Sequence, residues 1–320
     1  MIKKLLRLLT LLVAVSFLTF LLISLSPIDP VRAYIGADML LVSQEQRGMI
    51  EAYWGLDQPI INQYFQWVAS LVTGDFGTSL IHRAPVIDVI MDRFLSSIIL
   101  IALAWLASGL FGIVLGSIAA MKKGSWLDHV IKGYCYVLLS TPGFWLGLLL
   151  LMVFSVWLGI FPTGLSAPIG VTATEVTFID LVYYAILPAA TLSIIGVANV
   201  CLHTREKLVE VLNTPYILQA RANGYTGYKL FFRHGLRNMI LPAISVHFAS
   251  FGELFGGAIL AEQVFSYPGL GEAIVEAGLN GDVPLFLAIV LISACFVFAG
   301  SWIADTLYYM LDPRLRKGGS

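Results

Sequence analysis

The sequence predicts an all-α integral membrane protein with six transmembrane helices. Two observations carry that expectation. Hydrophobic residues fill 58% of the 320 positions and charged residues only 12%, whereas soluble domains carry roughly a quarter charged residues. Mean hydropathy is +0.85, and six stretches approach the roughly 20 apolar residues that a bilayer crossing needs. So little charge over this length leaves too little polar surface to solvate a globule.

The expected spans are residues 8–25, 94–121, 133–160, 181–202, 239–261 and 283–304. Lys3, Lys4 and Arg7 precede the first, as in a secretory signal. Its uncharged run exceeds the roughly 7–15 residues of a signal core. Its only small-residue site, Ser24-Leu25-Ser26, is followed by Pro27, so a retained helix is expected. Basic residues then set the orientation. They gather at the amino end, at Lys122, Lys123 and Lys132, at Arg205, Lys207, Arg221, Lys229, Arg233 and Arg237, and at Arg314, Arg316 and Lys317. The short connections 161–180 and 262–282 contain none. Both termini are therefore expected in the cytoplasm. Pro142 and Pro188 fall inside expected spans, where proline is tolerated.

Between the spans two segments are long enough to be informative. Residues 29–93 are expected outside. Ser43 and Gln46 form a capping box that opens a short helix over 43–55. A second helix is expected over 60–72, and Gly74-Asp75-Phe76-Gly77 reads as a turn. Residues 204–238 are expected inside. Asn213-Thr214-Pro215 is a helix start, the helix over 216–223 stops at Gly224, and a basic helix is expected over 227–237. Two short helices at the membrane surface suit docking into another protein's groove. A structured loop that merely carries the positive-inside charge fits equally. In linear order the chain divides into a first helix (1–28), an extracytoplasmic segment (29–93), a five-helix core (94–312) with the loop 204–238, and a cytoplasmic tail (313–320).

Polar residues inside the spans are the candidate pathway residues. Glu253 lies in the fifth span near Gly252, Gly256 and Gly257. An ionised, unpaired carboxylate there costs several kcal/mol, so it needs a partner, a wet cavity or a proton. His247 is six residues earlier and off that face; Asn199 and His203 sit on the fourth span, and Asp305 ends the sixth. The alternative reading of Glu253 is a hydrogen bond that bundles helices, with glycines allowing close approach. Cys135, Cys201 and Cys295 lie far apart and read as small buried apolar residues, without disulfide or zinc spacing. A net charge of −1 gives no basic face for nucleic acid. The chain has no phosphate-binding Gly-x-x-x-x-Gly-Lys-[Ser/Thr], no His-Glu-x-x-His and no Gly-x-Ser-x-Gly. A membrane enzyme is thereby disfavoured, and any ATP is hydrolysed on another chain. A proton-coupled secondary transporter using Glu253 remains an alternative.

Ordered motifs make the chain recognisable. Outside the membrane come Gly55-Leu56-Asp57-Gln58-Pro59, Gln63-Tyr64, Gly74-Asp75-Phe76-Gly77-Thr78-Ser79 and Pro85-Val86. The inner loop carries Ala220-Arg221-Ala222-Asn223-Gly224, His234-Gly235-Leu236-Arg237-Asn238 and Leu241-Pro242. Then follow Gly256-Gly257, Glu262, Phe265, Pro268-Gly269-Leu270-Gly271 and a terminal Leu311-Asp312-Pro313-Arg314-Leu315-Arg316. In these motifs the chain resembles, nearly end to end, the first permease subunit of the bacterial ABC importers for dipeptides, oligopeptides and nickel. It departs at Pro27-Ile28-Asp29-Pro30, at Asn223, and at Leu218-Gln219-Ala220, where importer loops usually read Glu-Ala-Ala.

The resemblance implies a type I importer permease in the bacterial inner membrane. It implies a second homologous permease, two ATPase subunits that bind ATP and Mg, and an extracytoplasmic substrate-binding protein. No cofactor is expected on this chain and no metal site. The implied ATPase-coupling residues are Tyr216, Ala220, Arg221, Ala222 and Gly224, with small Ala220 and Ala222 allowing close approach. Glu253, Gly256, Gly257, Asn199 and His247 are the candidate pathway residues. Gly252-Glu253-Leu254-Phe255-Gly256-Gly257 is similar to nickel-type members, so peptides and nickel or metal chelates both stand as expected cargo.

Overall fold

A computed structural model describes residues 2–311, apart from 28, 30, 32–34, 36–42, 54–56, 169 and 171–174. The tail at 313–320 and the Gly55-Leu56 step lie outside the described residues. In chain order the helices are α1 (Ile2–Ser24), α2 (Gln44–Tyr53), α3 (Ile60–Val72), α4 (Val86–Met121), α5 (Trp126–Ser140) and α6 (Gly143–Leu150), which continues as a π-helix over Leu151–Trp157. Then come α7 (Phe178–Leu212), α8 (Pro215–Ala222), α9 (Gly227–Leu230), a π-helical turn over Phe231–Gly235, α10 (Leu236–Ala249), α11 (Phe251–Val264), α12 (Leu270–Asn280) and α13 (Val283–Leu311). Among the described residues extended pairing is limited to an isolated bridge between Thr78 and Pro85.

Among the described residues four helices are long and apolar enough to cross a membrane: Leu6–Ser24, Val86–Met121, Phe178–Leu212 and Val283–Ile303. The third expected span is bent. Trp126–Ser140 and Gly143–Trp157 meet at 103° and count as a fifth crossing only if taken together. Pro142 is the cause: it has no N–H to continue the helix and forces its predecessor out of helical geometry. Thr141 accordingly is extended, with φ −90° and ψ 126°. Proline here does more than the sequence reading allowed.

The fifth expected span is also different. The basic helix at 227–237 is continuous with it, so the chain is helical from Gly227 to Ala249 and then breaks at Ser250. Residues 262–282, expected as a plain connection, contain α12. The capping box is as expected: Ser43 N–H donates to Gln46 Oε1 at 2.9 Å, and Gln46 N–H to Ser43 Oγ at 3.2 Å.

The chain forms two compact units. The first comprises Met1–Ser97 with Pro268–Phe296. Its core joins Val86, Val89 and Ile90 to Leu270, Ala273, Ala277, Leu285, Ala288 and Ile289. Aromatic packing holds α1 to α3: Phe20 and Tyr64 are buried with Leu287, and Ser16 Oγ hydrogen-bonds Tyr64 Oη at 2.9 Å. The polar anchor is Asp282, which is fully buried. Its Oδ2 accepts from Ser79 Oγ at 2.6 Å, Leu80 N–H at 2.8 Å and Ile81 N–H at 3.1 Å. A buried carboxylate is tolerated where donors surround it in this way. Arg93 pairs with Glu272 on α12, and Leu270 N–H donates to Ser97 Oγ at 2.8 Å.

The second unit comprises Ile98–Tyr267 with Val297–Ser320. Here α4 and α7 meet along small residues. Ser108 lies against Gly196, where an added Cβ would come within 2.9 Å of Ser108 Cβ. A Cβ on Gly112 would stand 2.6 Å from Val200 Cβ, and one on Gly116 2.4 Å from the Cys201 carbonyl oxygen. Small residues every fourth position let membrane helices approach to backbone contact. The paired positions rise together along both helices, so α4 and α7 run parallel. The bent pair α5–α6 runs back between them in sequence: Asp128 pairs with Arg205, Gly143 faces Ile195 and Gly147 faces Thr191. Contacts from the two arms thus run in reverse order along α7. Helices α10 and α11 return the same way, with Met239 in a core with Leu208 and Ala120, Leu254 near Gly196 and Gly257 near Leu192.

Gly116→Ala should destabilise the protein by about 2 kcal/mol, the usual cost of overpacking a fitted interface, because the obstructing atom is backbone. Gly133, on α5, has open space around it. Gly133→Ala should leave the unfolding midpoint of the detergent-solubilised protein unchanged or slightly raised. Equal midpoints for the two variants would refute the contact.

Candidate functional site

Residues 204–238 run from the last turns of α7 through α8 into the start of the 227–249 helix. Pro215 occupies the first turn of α8, where its missing N–H is no loss. The helix ends at Ala222 and the chain reverses through Gly224, whose φ of +88° is open to glycine and strained for other residues. One face of α8 is internal: Ile217 and Ala220 are buried with Leu230, flanked by Val211, Leu212 and Tyr225. The other face carries Leu218, Gln219, Arg221 and Ala222, all exposed. Ala220 is therefore turned inward, away from any docking partner, contrary to the expectation that it allows close approach. Ala222 remains as the small exposed residue.

Tyr216 is half exposed, and its hydroxyl reaches back to His234 Nδ1 at 2.5 Å. Tyr225 packs edge-on against the same imidazole at 4.9 Å, and the Arg233 guanidinium lies over the Tyr225 ring at 5.9 Å. His234 and Arg233 belong to the π-helical turn Phe231–Gly235.

The base of this loop is fixed by a buried ion pair. Arg205 Nε and Nη2 donate to Asp128 Oδ1 and Oδ2 at 2.6 and 2.8 Å. Asp128 Oδ2 also accepts from Gly124 N–H at 3.0 Å, and Lys132 Nζ lies 3.8 Å away. The Asp128 side chain is 1% exposed and that of Arg205 15%. A two-pronged guanidinium–carboxylate contact fixes orientation as well as distance. It places the turn at Lys122 and Lys123 at the same end of the unit as the loop. Sequence reading had missed Asp128. The available signal was an acid, three residues after the helix-capping Ser125, in a stretch otherwise rich in lysine.

The candidate pathway residues do not form one cluster. Glu253, expected mid-helix, lies in the first turn of α11, just after the break at Ser250. Its side chain is exposed, as is Gly256 one turn on. Gly257 is turned inward, 3.1 Å from Leu192 for an added Cβ. Asn199 is half buried on α7. His247 is buried at 4% exposure, stacked on Trp105 with ring centroids 4.4 Å apart. Gly109 leaves room for the imidazole: an added Cβ would meet His247 Nε2 at 2.5 Å. Among the described residues neither ring nitrogen of His247 has a hydrogen-bond partner. His247 and Glu253 thus differ in environment, one buried and the other exposed, on the two sides of the break at Ser250. Of the cysteines, Cys135 and Cys201 are buried, but Cys295 is exposed, against expectation.

The chain is thus a helical membrane scaffold with a basic loop held by an ion pair and an exposed acid on a broken helix. Comparison with known proteins gives the family. The family described as binding-protein-dependent transport system inner membrane component matches residues 112–317. Its amino-terminal counterpart matches residues 1–101. The chain is 35% identical to the oligopeptide transport system permease protein AppB of Bacillus subtilis, over 98% of both chains. It is 35% identical to the di/tripeptide transport system permease protein DppB of Pseudomonas aeruginosa, over 94% of both. It is 34% identical to the glutathione transport system permease protein GsiC of Escherichia coli K12, over 98% of both. The chain belongs to the family of binding-protein-dependent inner membrane components, the permease subunits of ABC importers. A proton-coupled secondary transporter built on Glu253 finds no support in these relatives.

Breaking a buried ion pair by removing one partner costs about 3–5 kcal/mol. Asp128→Asn should therefore lower the unfolding midpoint of the solubilised protein markedly and open the 204–238 loop to protease. Arg205→Lys should fail to preserve stability, because a lysine offers one point contact where the guanidinium offers two. A midpoint for Arg205→Lys equal to that of the unsubstituted protein would remove the claim that geometry, and not charge alone, holds the loop.

Proposed function

We propose that this permease forms half of a peptide-conducting pathway, with a second homologous permease supplying the other half. The observation that carries this reading is the nearly full-length similarity to three permeases named for oligopeptide, di/tripeptide and glutathione transport. In this reading a binding protein delivers peptide from outside, and two ATPase subunits bind ATP and Mg inside. The chain crosses the inner membrane six times with both termini in the cytoplasm. The bent pair α5–α6 makes the third crossing, and α10 with α11 makes the fifth. Residues 29–93 form the outer segment and 313–320 the inner tail.

The exposed face of α8, with Arg221 and Ala222, is the surface offered to an ATPase groove, and Gly224 sets the turn that holds it there. Ala220 serves the same loop from within, and Tyr216, half exposed, ties α8 to His234. Glu253 and Gly256 face the pathway or the second permease. The physical support is the cost of the alternative: a carboxylate turned to lipid is expensive, and the Glu253 side chain is exposed on this chain alone. Gly257 and His247 support the helix from behind, and Asn199 stands at the margin.

The test is uptake of labelled di- and oligopeptides into proteoliposomes that contain the whole importer, with nickel and nickel chelates as competing cargo. Peptide uptake that requires ATP and the binding protein is expected; uptake of nickel alone would overturn the peptide reading. Glu253→Gln should lower uptake with the complex still assembled, and full retention would remove the carboxylate from the pathway. At Gly224 a β-branched residue must adopt a left-handed backbone at about 1–2 kcal/mol. Gly224→Val should accordingly cut uptake per ATP hydrolysed by about tenfold, the equivalent of 1.4 kcal/mol. An unchanged ratio would exclude a role for that turn in coupling.

A further inference from the structure

The contact between Tyr216 and His234 has a role that docking alone does not supply. Helix α8 is only eight residues long, too short to be stable by itself. Its inner face rests on Leu230 through Ile217 and Ala220, an apolar contact that resists separation but does not fix rotation. The directional tie at its amino-terminal end is the Tyr216 hydroxyl on His234 Nδ1, at 2.5 Å and across 18 positions of sequence. Tyr216 packs edge-on to the imidazole at 5.4 Å, and Tyr225 holds the ring from another side at 4.9 Å.

The receiving side of the tie matters as much. His234 lies in the π-helical turn Phe231–Gly235, from which the chain continues without a break into α10. Short π-helical segments inside longer helices recur at functional sites. Here the turn joins a surface element to a helix that runs on to Ser250 and the Glu253 turn. Besides the Leu230 contact, the hydrogen bond to His234 therefore joins α8 directly to the 227–249 helix.

We propose that the Tyr216–His234 hydrogen bond is the positioning contact for energy coupling. It fixes α8 rotationally to the π-helical turn, so that movement imposed on α8 is passed to α10 instead of being lost in rotation of a short helix. Tyr216 and His234 are positioning residues: neither need touch peptide or nucleotide. The proposal rests on the reading of 204–238 as the loop that receives the ATPases.

The experiment is a double-mutant cycle on peptide uptake per ATP hydrolysed, in proteoliposomes holding the complete importer and its binding protein. Tyr216→Phe removes only the hydroxyl. His234→Ala removes the acceptor, and His234→Asn restores a polar group near the Nδ1 position. Tyr216→Phe and His234→Ala should each lower uptake per ATP by about fivefold, the effect of one ordinary hydrogen bond. The double variant should be no worse than either, because both remove the same interaction, and His234→Asn should recover part of the loss. Multiplying losses in the double variant, or an unchanged ratio in Tyr216→Phe, would overturn the proposal. So would loss of ATPase subunits from the purified Tyr216→Phe complex, which would make Tyr216 a docking residue. If the unsubstituted importer takes up no peptide with ATP, the underlying functional reading fails, and the two failures are distinguished by that control.

Discussion

Backbone contact between α4 and α7 is the constraint on which the second unit depends. In a bilayer the lipid tails are as apolar as leucine, so burying apolar side chains supplies little drive for helices to associate. Close approach has to supply it through dispersion and polar contact. Ser108, Gly112 and Gly116 on one helix and Gly196 on the other remove the atoms that would hold the axes apart. Once these two helices lie parallel, the chain between them must return along the unit. The bent pair α5–α6 makes that return, and α10–α11 makes a second one. The shared position of the Lys122 turn and the 204–238 loop follows from the parallel pairing, with the Asp128–Arg205 ion pair as the lock at that end.

Asp282 and Asp128 on the one hand and Glu253 on the other stand in different surroundings. Asp282 accepts from a hydroxyl and two backbone N–H groups through one oxygen. Asp128 is gripped by a guanidinium and a backbone N–H. Both are buried, and their environment accounts for them fully. Glu253 is exposed, at the start of a helix whose N–H groups favour negative charge. An acid without a structural reason, on an exposed turn of a membrane helix, is where interaction with something outside the chain is to be sought. His247 shows why polarity alone is a poor guide. It is as unexpected in an apolar helix as Glu253, yet it is a buried ring stacked on Trp105.

Much of this was legible in the sequence, for reasons particular to each element. The capping box at Ser43 and Gln46 and the Pro215 helix start depend on local chemistry, and each fixed its helix to within a residue or so. The apolar runs gave the long helices because a membrane span is a matter of length and composition. What escaped was set by partners distant in sequence. Nothing local says that Ala220 points inward while Ala222 points outward, since that depends on Leu230. Hydropathy placed Glu253 in the middle of a span; the break at Ser250 moved it to a helix start. Pro142 and Pro188 look alike in sequence. One bends its helix pair by 103° and the other stays within α7.

Two interruptions divide the segment from Gly227 to Val264 in a way that an unbroken helix would not be divided. A straight helix from Gly227 to Val264 would carry displacement to its far end, and Glu253 would simply translate with it. The π-helical turn lies at the entry and the break at Ser250 in the middle; α10 is held on α7 through Met239 and Leu208, and α11 through Leu254 and Gly257. Rod-like segments joined at such breaks are how packed helices convert a small displacement into a local change of orientation. The Glu253 turn sits directly beyond the second joint. The acid is thereby presented at the exposed start of α11, beside Leu254 and Gly257, whose packing on α7 fixes the direction in which its turn faces.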